Sequence, residues 1–179
     1  MSHLLHERIR ALCRASGALA LAGSASIGAH ADNAGQDWKG YAGVNCMGQN
    51  ISDPIRRSAV NQIALANTGT STITVFCPVV RDVSEGGEDR VTLVRVRLRN
   101  RNQTEAGSCE FSSRDINGHQ VESKSAVAPP NSGETVLQLG PLNALTWGSY
   151  VLSCKLPGRD PKNGQSYIIN YRVDEKLAP

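Results

Sequence analysis

Between Val91 and Arg99 the side chains alternate in character, residue by residue. Val94, Val96 and Leu98 fall on one face of an extended backbone, and Arg95, Arg97 and Arg99 on the other. A period of two belongs to a strand with one face in a dry core and one in water; a helix would scatter the same residues around its axis. Such a strand is not stable alone. It needs neighbours in a sheet and a second layer over its apolar face. Other runs supply them. Thr70–Cys77 is dense in β-branched residues and stops at Pro78, which has no N–H to give to a ladder. Cys109 and Phe111 share a face of Ser108–Ser112, and Val136–Leu139 is short and apolar. Tyr150, Leu152, Cys154 and Leu156 line one side of a further run. Tyr167, Ile169, Tyr171 and Val173 form a last set, with Asn170 and Arg172 opposite.

Turn chemistry separates these runs. Glu85-Gly86-Gly87-Glu88 precedes the arginine strand and Asn100-Arg101-Asn102-Gln103 follows it. Asp115-Ile116-Asn117-Gly118 combines Asx residues with a glycine, and Pro129-Pro130-Asn131-Ser132-Gly133 stops any helix. Pro157–Gly164 is a polar loop before the final run. No window carries a helical apolar stripe. The expected fold is all-β: an antiparallel β-sandwich, Ig-like or jelly-roll-like, of about seven to nine short strands.

The first residues read as an address rather than as structure. Arg8, Arg10 and Arg14 are followed by an uncharged stretch, Ala15–Gly23, and then by Ala29-His30-Ala31. Basic, apolar and small-x-small in that order describe a secretory signal peptide, with cleavage expected after Ala31. Arg10-Ala11-Leu12-Cys13 does not fit a lipid-attachment sequence, which implies a free exported chain, secreted or periplasmic. The expected organisation is a signal peptide at 1–31, a loose N-terminal leader at 32–43 and one β-sandwich domain at 44–179, with no membrane span after cleavage.

Processing leaves one histidine, His119, and four cysteines: Cys46, Cys77, Cys109 and Cys154. None stands in Cys-x-x-Cys spacing, so neither zinc nor thioredoxin-like chemistry is indicated. Two disulfides are the natural reading in an oxidising compartment. Four cysteines allow three pairings. Cys46–Cys77 with Cys109–Cys154 is the favoured one, because each bond then ties segments close along the chain.

Several short motifs resemble a family of small exported proteins from proteobacteria. They are Thr74-Val75-Phe76-Cys77-Pro78-Val79-Val80-Arg81-Asp82, Cys154-Lys155-Leu156-Pro157-Gly158 and the stretch Ser166–Glu175. The resemblance runs from about Tyr41 to Glu175. It implies an exported, disulfide-bonded β domain and carries over no activity, ligand or catalytic residue.

Nineteen Lys and Arg against 16 Asp and Glu give a net charge of +3, too near neutral for a dedicated nucleic-acid binder. No catalytic constellation stands out. His119 has no Gly-x-Ser-x-Gly elbow to serve, and Glu85, Glu88 and Asp89 sit together in a turn whose bland use is solvation. Asp115-x-Asn117 resembles the start of a calcium loop, but position twelve would be Ala126, and an Asx turn accounts for it. No cofactor or metal is expected.

The arginine row is the leading candidate site. Arg95, Arg97 and Arg99 stand about 7 Å apart along one face, and guanidinium groups grip carboxylates or sulfates with two bonds each. The competing expectation is a solvent face whose arginines pair with neighbouring acids such as Glu110 or Glu122. Trp147 is the candidate aromatic platform, against the alternative of a core cap near a strand start, while Trp38 and Tyr41 also lie outside the cleanest apolar faces. The chain therefore reads as an exported, non-catalytic binding module. Its expected partner is an acidic glycan, an envelope component or an extracellular protein. The rivals are a hydrolase using loop carboxylates and a structural or inhibitory protein acting through Pro157–Gly164.

Overall fold

The computed structural model describes residues 36–57, 62–80, 90–142 and 148–176. The predicted signal peptide, the acidic turn at 85–89 and Trp147 lie outside them.

The described strands are β1 (Gln36–Ala42), β2 (Met47–Gly48), β3 (Ile55–Arg57), β4 (Leu65–Asn67), β5 (Ile73–Cys77), β6 (Arg90–Asn100), β7 (Gly107–Arg114), β8 (Gln120–Ala128), β9 (Gly133–Leu139), β10 (Ser149–Leu156) and β11 (Tyr167–Lys176). They form two antiparallel sheets. One runs β3-β4-β11-β6-β9 with β1 also on β11, and the other runs β2-β5-β10-β7-β8. The chain is thus a β-sandwich with more strands than the seven to nine expected. The excess comes from two- and three-residue segments that carry no periodic signal, and from β1. Setting aside β1–β3, the pairs β4/β11, β5/β10, β6/β9 and β7/β8 nest like one long hairpin with its tip between β7 and β8. Wrapping that hairpin gives the jelly-roll order and decides between the two expected sandwich types.

The span 32–43 was expected to be a loose leader, and its described part is not. Gln36–Ala42 pairs with Lys176–Asn170 along β11. The cause lies in β11, whose other edge is taken by β6. Short β4 pairs with Tyr167 and Ile168 alone, so the remaining N–H and C=O groups of that edge need a partner, and β1 supplies it.

The core lies between the sheets. Val94, Val96 and Leu98 are wholly buried and belong to one apolar cluster with Phe111, Leu152 and Leu156. Each such side chain contributes about 1.5–3 kcal/mol on burial. Both disulfides belong to the five-stranded sheet. Cys109 and Cys154 are direct cross-strand partners on β7 and β10. Cys46, just before β2, is bonded to Cys77 at the end of β5. Tyr171 stacks on Tyr41 at 4.9 Å and donates its hydroxyl to the Pro78 carbonyl at 2.6 Å, bracing the β1–β11 pair against the segment after β5. Burial raises the affinity of that hydroxyl for its proton.

One departure from regular pairing decides which side chains face outward. Ile168 pairs with Leu98 and Asn170 with Arg97, so Ile169 is an extra residue on β11. The expected face Tyr167–Ile169–Tyr171–Val173 is broken there. Ile168 is fully buried, and Tyr167 stands outside opposite Arg99. Gly43 makes the bulge possible: a Cβ there would lie 2.2 Å from the Ile168 carbonyl oxygen. The turn Gly43–Asn45 also carries the chain from one sheet to the other, between β1 and β2.

At one end of the sandwich buried amides hold the loops. Asn100 Nδ2 donates to the carbonyls of Glu105 and Pro129, and Asn100 Oδ1 accepts from Asn102 N and Ser166 Oγ. Asn67 Nδ2 donates to the carbonyls of Ser71, Leu156 and Pro157.

Candidate functional site

Register assembles the outer face of the six-stranded sheet. Arg95 stands opposite Arg172 on β11 and Gln138 on β9. Arg97 stands opposite Asn170 and Val136, and Arg99 opposite Tyr167 and Glu134. On the far side of β11, Gly40 meets Arg172, Ala42 meets Asn170 and Trp38 meets Asp174. Gly40 and Ala42 are small where the neighbouring strands carry long side chains. The result is a concavity of about 520 Å³ whose lining includes Trp38, Gly40, Ala42, Arg95, Arg97 and Arg172.

The arginines have partners, but not those expected. Glu110 and Glu122 belong to β7 and β8 of the other sheet, out of reach of this face. Asp174 serves instead. Its Oδ2 accepts from Arg95 Nη1 and its Oδ1 from Arg172 Nε. Glu134 accepts from Arg97 Nη2. Arg99 donates to the Tyr167 hydroxyl at 2.8 Å, and that bond holds its guanidinium firmly protonated. Three guanidinium groups therefore share two carboxylates and the fourth bonds to a phenol, so the four arginines and two acids together keep a positive balance. The side chains of Arg95, Arg97 and Arg172 remain 38%, 49% and 46% exposed, so each head still reaches water.

Trp38 is 56% exposed, unusual for so large an apolar surface. The Arg172 guanidinium lies 4.7 Å from its ring centroid, within cation–π range. Of the residues expected to form a site, Arg95, Arg97 and Arg99 lie in one row on β6, with the first two in the concavity. Trp147 lies outside the described residues. The indole beside the arginines in the concavity is Trp38, with Tyr41 and Tyr171 also in its lining, and the placement of Trp38 depends on a strand that composition does not reveal. Arg172 and Asp174 were equally hidden, because cross-strand neighbours follow from register.

Elsewhere the acidic motifs serve turns. Asp115 Oδ1 accepts from the N–H groups of Asn117 and His119, and Asp160 Oδ1 from those of Lys162 and Asn163. These bonds hold both carboxyls below the usual carboxylate range. His119 is an exposed turn residue, its side chain 80% accessible. Among the described residues no group of three or more His, Cys, Asp or Glu side chains is placed to hold a metal ion, and no helix is long and apolar enough to cross a membrane.

No protein-family model matches the sequence, and no curated protein matches it. Solved structures of similar shape include carbohydrate-binding modules and a carbohydrate esterase. A low-affinity xylan-binding module from Roseburia intestinalis superimposes with a TM-score of 0.47 at 6% identity, over 78% of this chain and 96% of that one. CsCBM6-3 from Clostridium stercorarium, solved with cellobiose, gives 0.44 at 7% identity, over 75% and 92%. A family two carbohydrate esterase from Cellvibrio japonicus gives 0.46 at 9% identity; 80% of this chain is covered, but only 36% of the esterase.

Proposed function

We propose that this protein is an exported, non-catalytic binding module whose outer concavity takes an acidic glycan. One observation carries the reading: Trp38, 56% exposed, stands in the same concavity as Arg95, Arg97 and Arg172. An indole offers a flat apolar surface to the C–H face of a sugar ring. Guanidinium groups beside it offer paired N–H donors to carboxylates or sulfates on the same chain. Export is supported by the two disulfides and by the signal-like start.

Affinity electrophoresis tests this directly. Gels containing polygalacturonate or dextran sulfate should retard the processed protein, and gels containing neutral galactan should retard it less. Arg97→Glu and Trp38→Ala should each relieve the retardation without lowering the melting temperature. Equal mobility in all gels would refute the reading.

A further inference from the structure

We infer that Arg95, Asp174 and Arg172 form a clamp for the carboxylate of a uronate unit, with Asp174 as its positioning residue. The inference rests on the binding face proposed above and gives it a ligand chemistry.

Arg95 and Arg172 are direct cross-strand partners, which puts their Cβ atoms about 5 Å apart. Two guanidinium groups so placed repel, and on a bare sheet each would swing into water. Asp174 prevents this by giving one carboxylate oxygen to each arginine. The bridge is asymmetric in a useful way. Arg172 spends its Nε and keeps both Nη groups, while Arg95 spends one Nη and keeps Nε and the other Nη. Arg172 is held a second time by its stack on Trp38. Asp174 is only 17% exposed, behind two heads that both line the concavity.

The trio thus carries one net positive charge and two guanidinium groups of restricted orientation, beside an exposed indole. Two planar N–H forks match the two oxygens of a planar carboxylate. A uronate carries such a group directly on its ring, so a ring against Trp38 delivers the carboxylate to Arg172 and Arg95. A sulfate accepts the same forks, but on a flexible ester it is not fixed relative to the ring that rests against Trp38.

A clamp and a plain charge effect predict opposite signs. If positive charge alone mattered, removing the Asp174 carboxylate would tighten anion binding. If Asp174 positions the forks, removing it frees two repelling arginines and weakens binding to a carboxylate ligand.

Calorimetric titration of the processed protein with oligogalacturonate and with dextran sulfate separates the two. Asp174→Asn should weaken oligogalacturonate binding about tenfold, the worth of one charge-assisted hydrogen bond. Dextran sulfate binding should hold or tighten, so the preference for carboxylate over sulfate falls. Arg172→Lys keeps the charge, loses the fork and should lower the same preference; it is the control should Asp174→Asn fold poorly. Oligogalacturonate binding that is unchanged or tighter in both variants overturns the clamp and leaves the face standing. A wild type that binds dextran sulfate but not oligogalacturonate overturns the carboxylate assignment. A wild type that binds neither overturns the binding face itself.

Discussion

Removing the Cys109–Cys154 bond, by changing both residues to alanine, measures how much of the fold depends on its cross-links. The bonded residues are 45 apart in sequence. In the chain-entropy model a loop of that length raises the free energy of the unfolded chain by about 4 kcal/mol. The native sheet gains little restraint in return, because β7 and β10 already pair along Ser108–Arg114 and Ser149–Lys155. The loss should therefore come almost wholly from a freer unfolded state. With a urea m-value of about 2 kcal/mol/M, the midpoint falls by about 2 M. The m-value itself should rise, since an uncrosslinked chain exposes more surface on unfolding. The assay is equilibrium urea unfolding followed by tryptophan fluorescence and far-ultraviolet dichroism, oxidised protein against variant. A midpoint shift below about 0.5 M, or the full shift with an unchanged m, would refute the reasoning and locate the effect in native packing. Breaking the Cys46–Cys77 bond, with its separation of 31, should cost slightly less. The two losses together approach the whole stability of an ordinary domain, about 5–15 kcal/mol.

Three further outcomes are expected. Gly43→Ala drives a methyl into the Ile168 carbonyl at the bulge and should cost about 3 kcal/mol, read as a lowered urea midpoint. Gly40→Val meets no atom nearer than 3.8 Å at its Cβ, so it should intrude on the concavity beside Trp38 and weaken retardation in acidic gels while the melting temperature holds. Asp160 has a lowered proton affinity, from the N–H groups of Asn163 and Lys162. Its contribution is complete above the unfolded value of about 3.9 and is lost as pH falls through the lower folded one. The melting temperature of Asp160→Asn should thus lie below wild type at pH 6 and converge with it toward pH 2.

What the sequence revealed and what it hid have separate physical causes. β6 was legible because its two faces meet a dry core and water, and alternation records that difference residue by residue. The outer position of Arg95, Arg97 and Arg99 followed from the same rule. β8 was illegible for the opposite reason: it is a sheet edge, and most of Gln120–Val127 is exposed or half-buried whichever way it points. β1 is polar and glycine-bearing, and its strand state is imposed by the open edge of β11. The Asn100–Gln103 stretch has turn composition, yet Asn100 is fully buried; composition cannot distinguish a solvated amide from one that holds three loops together. Asp174 looked like any charged residue near the end of a strand. Only pairing put it between two arginines.

The bulge at Ile169 has a consequence for length variation in this chain. It marks the point where β11 exchanges β4 for β1 as its neighbour. Deleting that single residue would join Ile168 directly to Asn170, and Tyr167, Ile168, Asn170 and Tyr171 would then face outward and inward in turn opposite Arg99, Leu98, Arg97 and Val96, as a regular ladder requires. Adding a residue inside the regular stretch Asn170–Asp174 does the reverse: the strand beyond it must bulge again or turn over, which would carry Arg172 inward. The hairpin tip at Asp115–Gly118 faces no such choice and should accept added residues freely. Length changes should thus be tolerated at that tip, and within β11 only where they add or remove a bulge rather than shift a regular ladder.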